Sequence, residues 1–284
     1  MGKVFGGALV CVLLAAAAPG TALAQGGSSD PFSFLKEGIY RPYIEAGAGV
    51  GILSHAEFGG TLPKLGTATL KFGYRELKPY KSRWLKMDDR FLSGSYGSTD
   101  FPLGETGTAG LSGELWSLGV GQKVGYGYDL GFLKLVPHHQ VTFGAAKMQP
   151  QSFSTLSAAD SAIIGRYYYN THLSLGTEGG VSTMLFGFLG VNAGFESSVI
   201  YPKVVFPEWI TSYVLAAGAI ILVSGFSEDI VEVSPTLGPI IYFVLRNAVA
   251  YGFMYAFSRN QNWPFPSEVP MMNNVFRVNV GIQF

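Results

Sequence analysis

The sequence predicts an all-β fold, an antiparallel transmembrane β-barrel of eight strands with one apolar helix near 207–225. Three observations point there. Period-two alternation of apolar with small or polar residues recurs along the chain. Only 13% of residues are charged, about half the ~25% of an ordinary soluble domain, while 14% are aromatic. Residues 1–24 read as an export segment.

In that segment Lys3 supplies the positive start, 4–19 the apolar stretch, and Ala22-Leu23-Ala24 the small-residue cleavage site. The expectation is a cleaved signal peptide, 1–24, followed by one barrel domain, 25–284. Cys11 lies inside the apolar stretch and is the sole cysteine, so the mature chain offers no disulfide, thiol nucleophile or thiolate metal ligand. Nineteen Lys and Arg balance nineteen Asp and Glu, which excludes the basic excess that a nucleic-acid partner requires.

The last segment alternates most strictly: Phe276, Val278, Val280, Ile282 and Phe284 against Arg277, Asn279, Gly281 and Gln283. Successive strand side chains point to opposite faces, so the apolar set forms one face. The segment resembles the C-terminal strand of bacterial outer-membrane β-barrel proteins. The resemblance implies that Phe276, Val278, Val280, Ile282 and Phe284 form a signal read by the barrel insertion machinery. It also implies an outer-membrane location in contact with lipid and lipopolysaccharide.

The same alternation marks 44–52, 69–75, 116–128, 141–145, 167–175, 185–195 and 249–257, with Gln122 interrupting the apolar phase of the third. Several of these approach the ~9–11 residues that cross a bilayer at a tilt. A bilayer core offers no water to open sheet edges, so such strands must close into a ring.

Eight strands conflict with loop lengths. Counted back from Phe284, the long segments 79–111, 148–164 and 203–240 fall at the end where barrels carry short turns. A further strand between 225 and 238 and another near 32–38 would restore the usual pattern, making ten the alternative. The run 209–226 is almost continuously apolar and follows Pro207-Glu208, a helix start, and reaches Gly225, a helix stop. A helix there, 207–225, suits packing on the barrel or docking a protein partner.

Strand phase puts the charges Glu45, Lys71, Arg75, Lys123, Arg166, Glu178, Glu196, Arg246 and Arg277 in the lumen, six basic and three acidic. They predict either mutually paired filling or a narrow pore with an anion preference. His172-Leu173-Ser174, with Glu178 beyond, resembles the His-x-Ser motif of outer-membrane lipid A deacylase barrels, which implies base, nucleophile and orienting acid. Leu175 stands where that family has asparagine, and Glu178 lies closer than its acid. His138 and His139 are adjacent, point to opposite strand faces and do not share a metal; a strand-end or interfacial place suits them. The stretch 71–90 is locally basic, through Lys78, Lys81, Arg83 and Lys86, and as an outer loop would meet lipopolysaccharide phosphates.

The expected function is a small outer-membrane barrel, structural or a narrow solute pore, with no cofactor and no metal. The alternatives are a lipid acyl hydrolase through Ser174 and His172, and an assembly subunit docking its partner through 207–225.

Overall fold

The computed structural model describes residues 40–80, 84–152, 156–168, 170–234 and 236–284. The expected signal peptide and the strand near 32–38 lie outside them.

Eight antiparallel strands, each paired with its neighbours in chain order, close into a barrel. They are β1 (Arg41–Ser54), β2 (Lys64–Pro79), β3 (Trp84–Ser98), β4 (Ser112–Asp129), β5 (Leu133–Ser152), β6 (Thr171–Leu185), β7 (Leu189–Ile200) and β8 (Met271–Gln283). Stepping across the sheet from Ile44 through Phe72, Leu92, Val120, Phe143, Leu175 and Val199 arrives at Met272. Ile44 itself faces Ile282 on β8, ten residues further on. That stagger over eight strands corresponds to a strand tilt of roughly 45°. The strands, 12 to 20 residues long, therefore exceed what a membrane crossing demands.

The outward face is mostly apolar, with the charges of β3, Lys86, Asp88 and Arg90, set toward the Phe284 end. Leu70, Phe72, Leu92, Trp116, Leu118, Phe276 and Val280 are each exposed. At the Phe284 end the connections are short: 80–83, 130–132 and 186–188. Long connections occupy the other end, including a single-turn 3-10 helix (Thr108–Gly110) and α1 (Ala158–Tyr167). Short turns on one end and long loops on the other are the usual barrel arrangement, so the conflict met in the sequence disappears.

It disappears because one expected strand is not a strand and one strand went unrecognised. Residues 249–257 belong to α3 (Gly238–Arg259). Their alternation, Val249, Tyr251, Phe253, Tyr255 and Phe257 against Ala250, Gly252, Met254 and Ala256, is apolar on both phases, and such a run does not distinguish helix from strand. In β3, Lys86, Asp88 and Arg90 place charge on the outward phase and Asp89 on the inward one, which erased the alternation. The two errors cancel in the count of eight. Residues 225–238 are helical or turn rather than a ninth strand, and residue 167 ends α1 rather than opening a strand.

The apolar helix is longer than 207–225. It runs over Phe206–Val233 as α2, with Pro207 in its first turn, and a tight turn then leads into α3. Gly225 does not stop α2, because Ser234 closes it with a backbone N–H to the Ile230 carbonyl. Its 28 residues rise about 42 Å and the 22 of α3 about 33 Å at 1.5 Å per residue. Both are long and apolar enough to cross a membrane.

The hairpin lies along the outside of the barrel wall. At the long-loop end Trp209, Ala216, Met254 and Phe257 pack on Leu175, Val199 and Met272. Near the Phe284 end Val231 and Tyr242 pack on Tyr126, the Glu228 carboxylate accepts from Tyr126 Oη at 3.0 Å, and Tyr128 Oη donates to the Thr236 carbonyl at 3.1 Å. Between them the Gly179 backbone N–H donates to Tyr251 Oη at 2.8 Å, Tyr251 Oη donates to the Phe195 carbonyl, and His139 Nδ1 meets Asn247 Oδ1 at 3.1 Å. Gly179 permits this approach, since a Cβ there would sit 2.6 Å from Asn247 Oδ1. Gly179→Val is expected to weaken the docking of α3 by about 1–3 kcal/mol through overpacking. Faster amide exchange in α3, with heat-modifiable gel migration of the barrel retained, is the expected result; unchanged exchange would show that the helix is not clamped there.

Candidate functional site

The lumen is the chemically distinctive region, and strand register builds it. Inward positions of β1 to β4 bring Glu45, Lys71, Asp89 and Lys123 to neighbouring rows, with Arg75 opposite Asp89. β5 to β8 add Gln140, Glu178, Glu196 and Arg277. Arg75 grips Asp89 through Nε and Nη2, the latter at 2.7 Å, and lies over the Tyr43 ring. Lys71 Nζ donates to Gln140 Oε1 at 2.9 Å and stands 3.8 Å from both Glu45 and Glu178.

Arg277 joins Glu196 and reaches Glu178 at 3.7 Å. Lys123 stands 3.7 Å from Glu45 Oε2, the same oxygen that accepts from Asn192. His138 faces the same cluster, 3.5 Å from Glu178 and 3.0 Å from Ser182 Oγ. Lys71, Lys123, Asp89 and Glu178 are at most 1% exposed.

The network differs from the sequence expectation in membership and in sign. Arg166 lies on α1, exposed, 3.6 Å from Glu268, and Arg246 lies on α3 outside the barrel, donating to Tyr242 Oη. Both were assigned inward because 167–175 and 249–257 read as strands. Asp89, on the unrecognised β3, joins instead. Four cations, Lys71, Arg75, Lys123 and Arg277, now face four carboxylates, Glu45, Asp89, Glu178 and Glu196. The excess of positive charge that suggested an anion preference is gone. His139 does face outward, opposite to His138, but toward Asn247 within the wall rather than at a strand end.

Apolar layers close the lumen on both sides of this network. Toward the long loops, Leu53, Leu65, Leu115, Met148, Ile200 and Met271 meet Leu62, Leu111, Ile164 and Tyr167 from the loops and α1. His55 ties this cap to the last connection through the Val269 carbonyl at 3.1 Å. Burial lowers the pKa of its imidazole, only partly offset by that carbonyl, and the ring is neutral at pH 7. Toward Phe284 the buried Met87, Val136 and Met184 fill the lumen. Between cap and network remains a cavity of about 40 Å³, room for a few waters and no more.

Ser174 lines that cavity, and His172 is buried with Nδ1 against the Tyr201 carbonyl at 3.0 Å. No hydrogen bond joins them among the described residues, and Glu178 is engaged by Lys71, Arg277 and His138 instead. The three do not form a relay and have no lipid-facing opening. Among the described residues no group of three or more histidine or acidic side chains is placed to hold a metal ion. The described part of 71–90 is strand rather than outer loop: Lys71 is in the lumen, Lys78 pairs with Glu76 and Lys86 with Glu228, while Lys81 and Arg83 lie outside the described residues.

These features define a closed eight-stranded barrel with a filled, charge-balanced lumen and a helical hairpin on its wall. No protein-family model and no curated protein matches the chain. Among solved structures it is similar to Neisserial surface protein A (NspA), at 12% identity and a TM-score of 0.41 over 86% of this chain and 97% of that one. It is also similar to Ail, the attachment invasion locus protein of Yersinia pestis, at 10% identity and a TM-score of 0.35 over 86% and 99%.

Removing one member of the buried network leaves its partners charged and unpaired. Glu178→Gln is expected to cost about 3–5 kcal/mol, as breaking buried pairs does, whereas Glu105→Gln at the exposed Lys64–Glu105 pair is expected to cost under ~1 kcal/mol. Urea titration of the folded gel band measures both, and equal costs would mean the network is not structural.

Proposed function

We propose that this protein is an outer-membrane barrel serving envelope structure, with its lumen closed to solutes. The observation that carries the reading is the lumen itself: balanced buried charges between two apolar layers, with a cavity of about 40 Å³ between the cap and the network. A selective pore needs a continuous aqueous path lined by charge of one sign. Here each cation has a carboxylate within 4 Å. The apolar outward wall and the tilt fit a bilayer, and the loop pattern orients the Phe284 end toward the periplasm.

In this reading the hairpin is part of the membrane-embedded wall. Both helices present apolar side chains away from the barrel, Leu222 at 76% exposure among them. A second reading, a protein partner docked on α2, draws on that same face, through Leu215, Ile221 and Phe226. Stoichiometric co-purification lost when those positions are made polar would favour it.

Purified protein is expected to be silent in planar bilayers, and charge reversal at Arg75 or Lys123 to leave it silent. Steady conductance that survives purification and changes with either reversal would overturn the closed-lumen reading. Ser174→Ala is expected to change no lipid-processing activity of cells that express the protein. Fractionation with the inner membrane would overturn the location.

A further inference from the structure

The hairpin leaves part of the wall uncovered, and there the outward surface is not smooth. Toward the long loops two rows of outward residues run across β2 to β6. The upper one is Ala68, Tyr96, Trp116, Lys147 and Thr171, each opposite the next. Below it stand Leu70, Gly94, Leu118 and Ala145. Gly94 and Ala145 leave gaps on either side of Leu118, and the next row down, Phe72, Leu92, Val120 and Phe143, is large throughout. The result is an apolar groove of about 620 Å³, within the ~300–1,000 Å³ of small-ligand sites. That large row closes it near mid-wall.

Its rim is chemically different from its floor. Tyr96 and Trp116 lie against one another, ring centroids 4.3 Å apart, as aromatics do at a membrane interface. Beside them Lys147 is the sole charged residue lining the groove and makes no ion pair among the described residues. The nearby acid Glu114 accepts from Gln151 Nε2 at 3.0 Å. An apolar trough running inward from a lysine at headgroup depth complements one kind of molecule, a lipid with an acyl chain and an anionic head.

We propose that the groove floored by Gly94 and Ala145 binds an acyl chain of an anionic phospholipid or glycolipid of the outer leaflet, with its phosphate at Lys147. The proposal rests on the membrane reading above. Leu70 and Leu118 flank the chain, Phe72 and Val120 set how deeply it enters, and the Thr171 hydroxyl stands beside Lys147 for the head.

The structure also supplies a clean way to fill the groove, because a Cβ at Gly94 would meet nothing within 4 Å. Native mass spectrometry of the full chain, released from detergent after exposure to phosphatidylglycerol or phosphatidylcholine, counts the lipid retained. Wild type is expected to retain one phosphatidylglycerol, about fivefold in preference to phosphatidylcholine, the attraction of one lysine at an anionic surface. Lys147→Gln is expected to abolish the preference while keeping chain binding, and Gly94→Phe to abolish retention of both.

Heat-modifiable migration of each variant checks that the barrel is intact, with Ala145→Leu as a second filling variant if Gly94→Phe fails it. Equal retention in folded wild type, Lys147→Gln and the filled variant would overturn the site, as would a dimer seated on the groove in place of lipid. Fractionation run in parallel separates that failure from failure of the membrane reading.

Discussion

Closure of the sheet between β1 and β8 is the constraint on which everything else depends. Pairing from Tyr43 opposite Gln283 to Ser54 opposite Met272 leaves the sheet without an open edge strand, the condition a β-structure must meet where no water is available. Eight strands with a stagger of ten enclose an interior about wide enough for side chains alone. Closure thus creates a second problem, an interior too narrow for bulk water yet lined by every residue of the inward phase. The Glu45–Lys71–Glu178–Arg277 network is the solution to it.

That network is an expensive way to fill a lumen. Each charge loses its hydration, and pairs at 3.7–3.8 Å return only part of it. What they add is register. A one-residue slip would send every inward charge into the lipid face and every outward leucine into the lumen. Arg75 gripping Asp89 and Lys71 bridging Glu45 and Glu178 tie β1, β2, β3 and β6 to one alignment. The apolar layers above and below shield the network from bulk water, which strengthens its pairs.

The wall and the hairpin are coupled to the same alignment. His139 and Gly179 are outward neighbours of the inward His138 and Glu178, so the register that assembles the network also presents Asn247 and Tyr251 with their partners. Where the hairpin stops, small residues at Gly94 and Ala145 leave the wall concave. One face of the sheet therefore supplies a helix dock and an apolar trough side by side.

By itself the sequence determined the class of fold, the two faces of most strands and most members of the lumen network. It could do so because alternation is local and survives wherever one phase is apolar and the other small or polar, as in 44–52, 116–128 and 276–284. Where both phases carry charge, as in β3, or both are apolar, as in 249–257, periodicity holds no information, and the strand Trp84–Ser98 and the helix Gly238–Arg259 emerged only in the folded chain. Arg166 and Arg246 were misplaced for that reason, and Asp89 was missed. The cap at Leu111 and Tyr167, the His139–Asn247 contact and the groove at Gly94 join residues far apart in sequence. The tertiary structure alone decided them, because strand stagger and helix docking, which no local pattern records, choose which distant residues share a row.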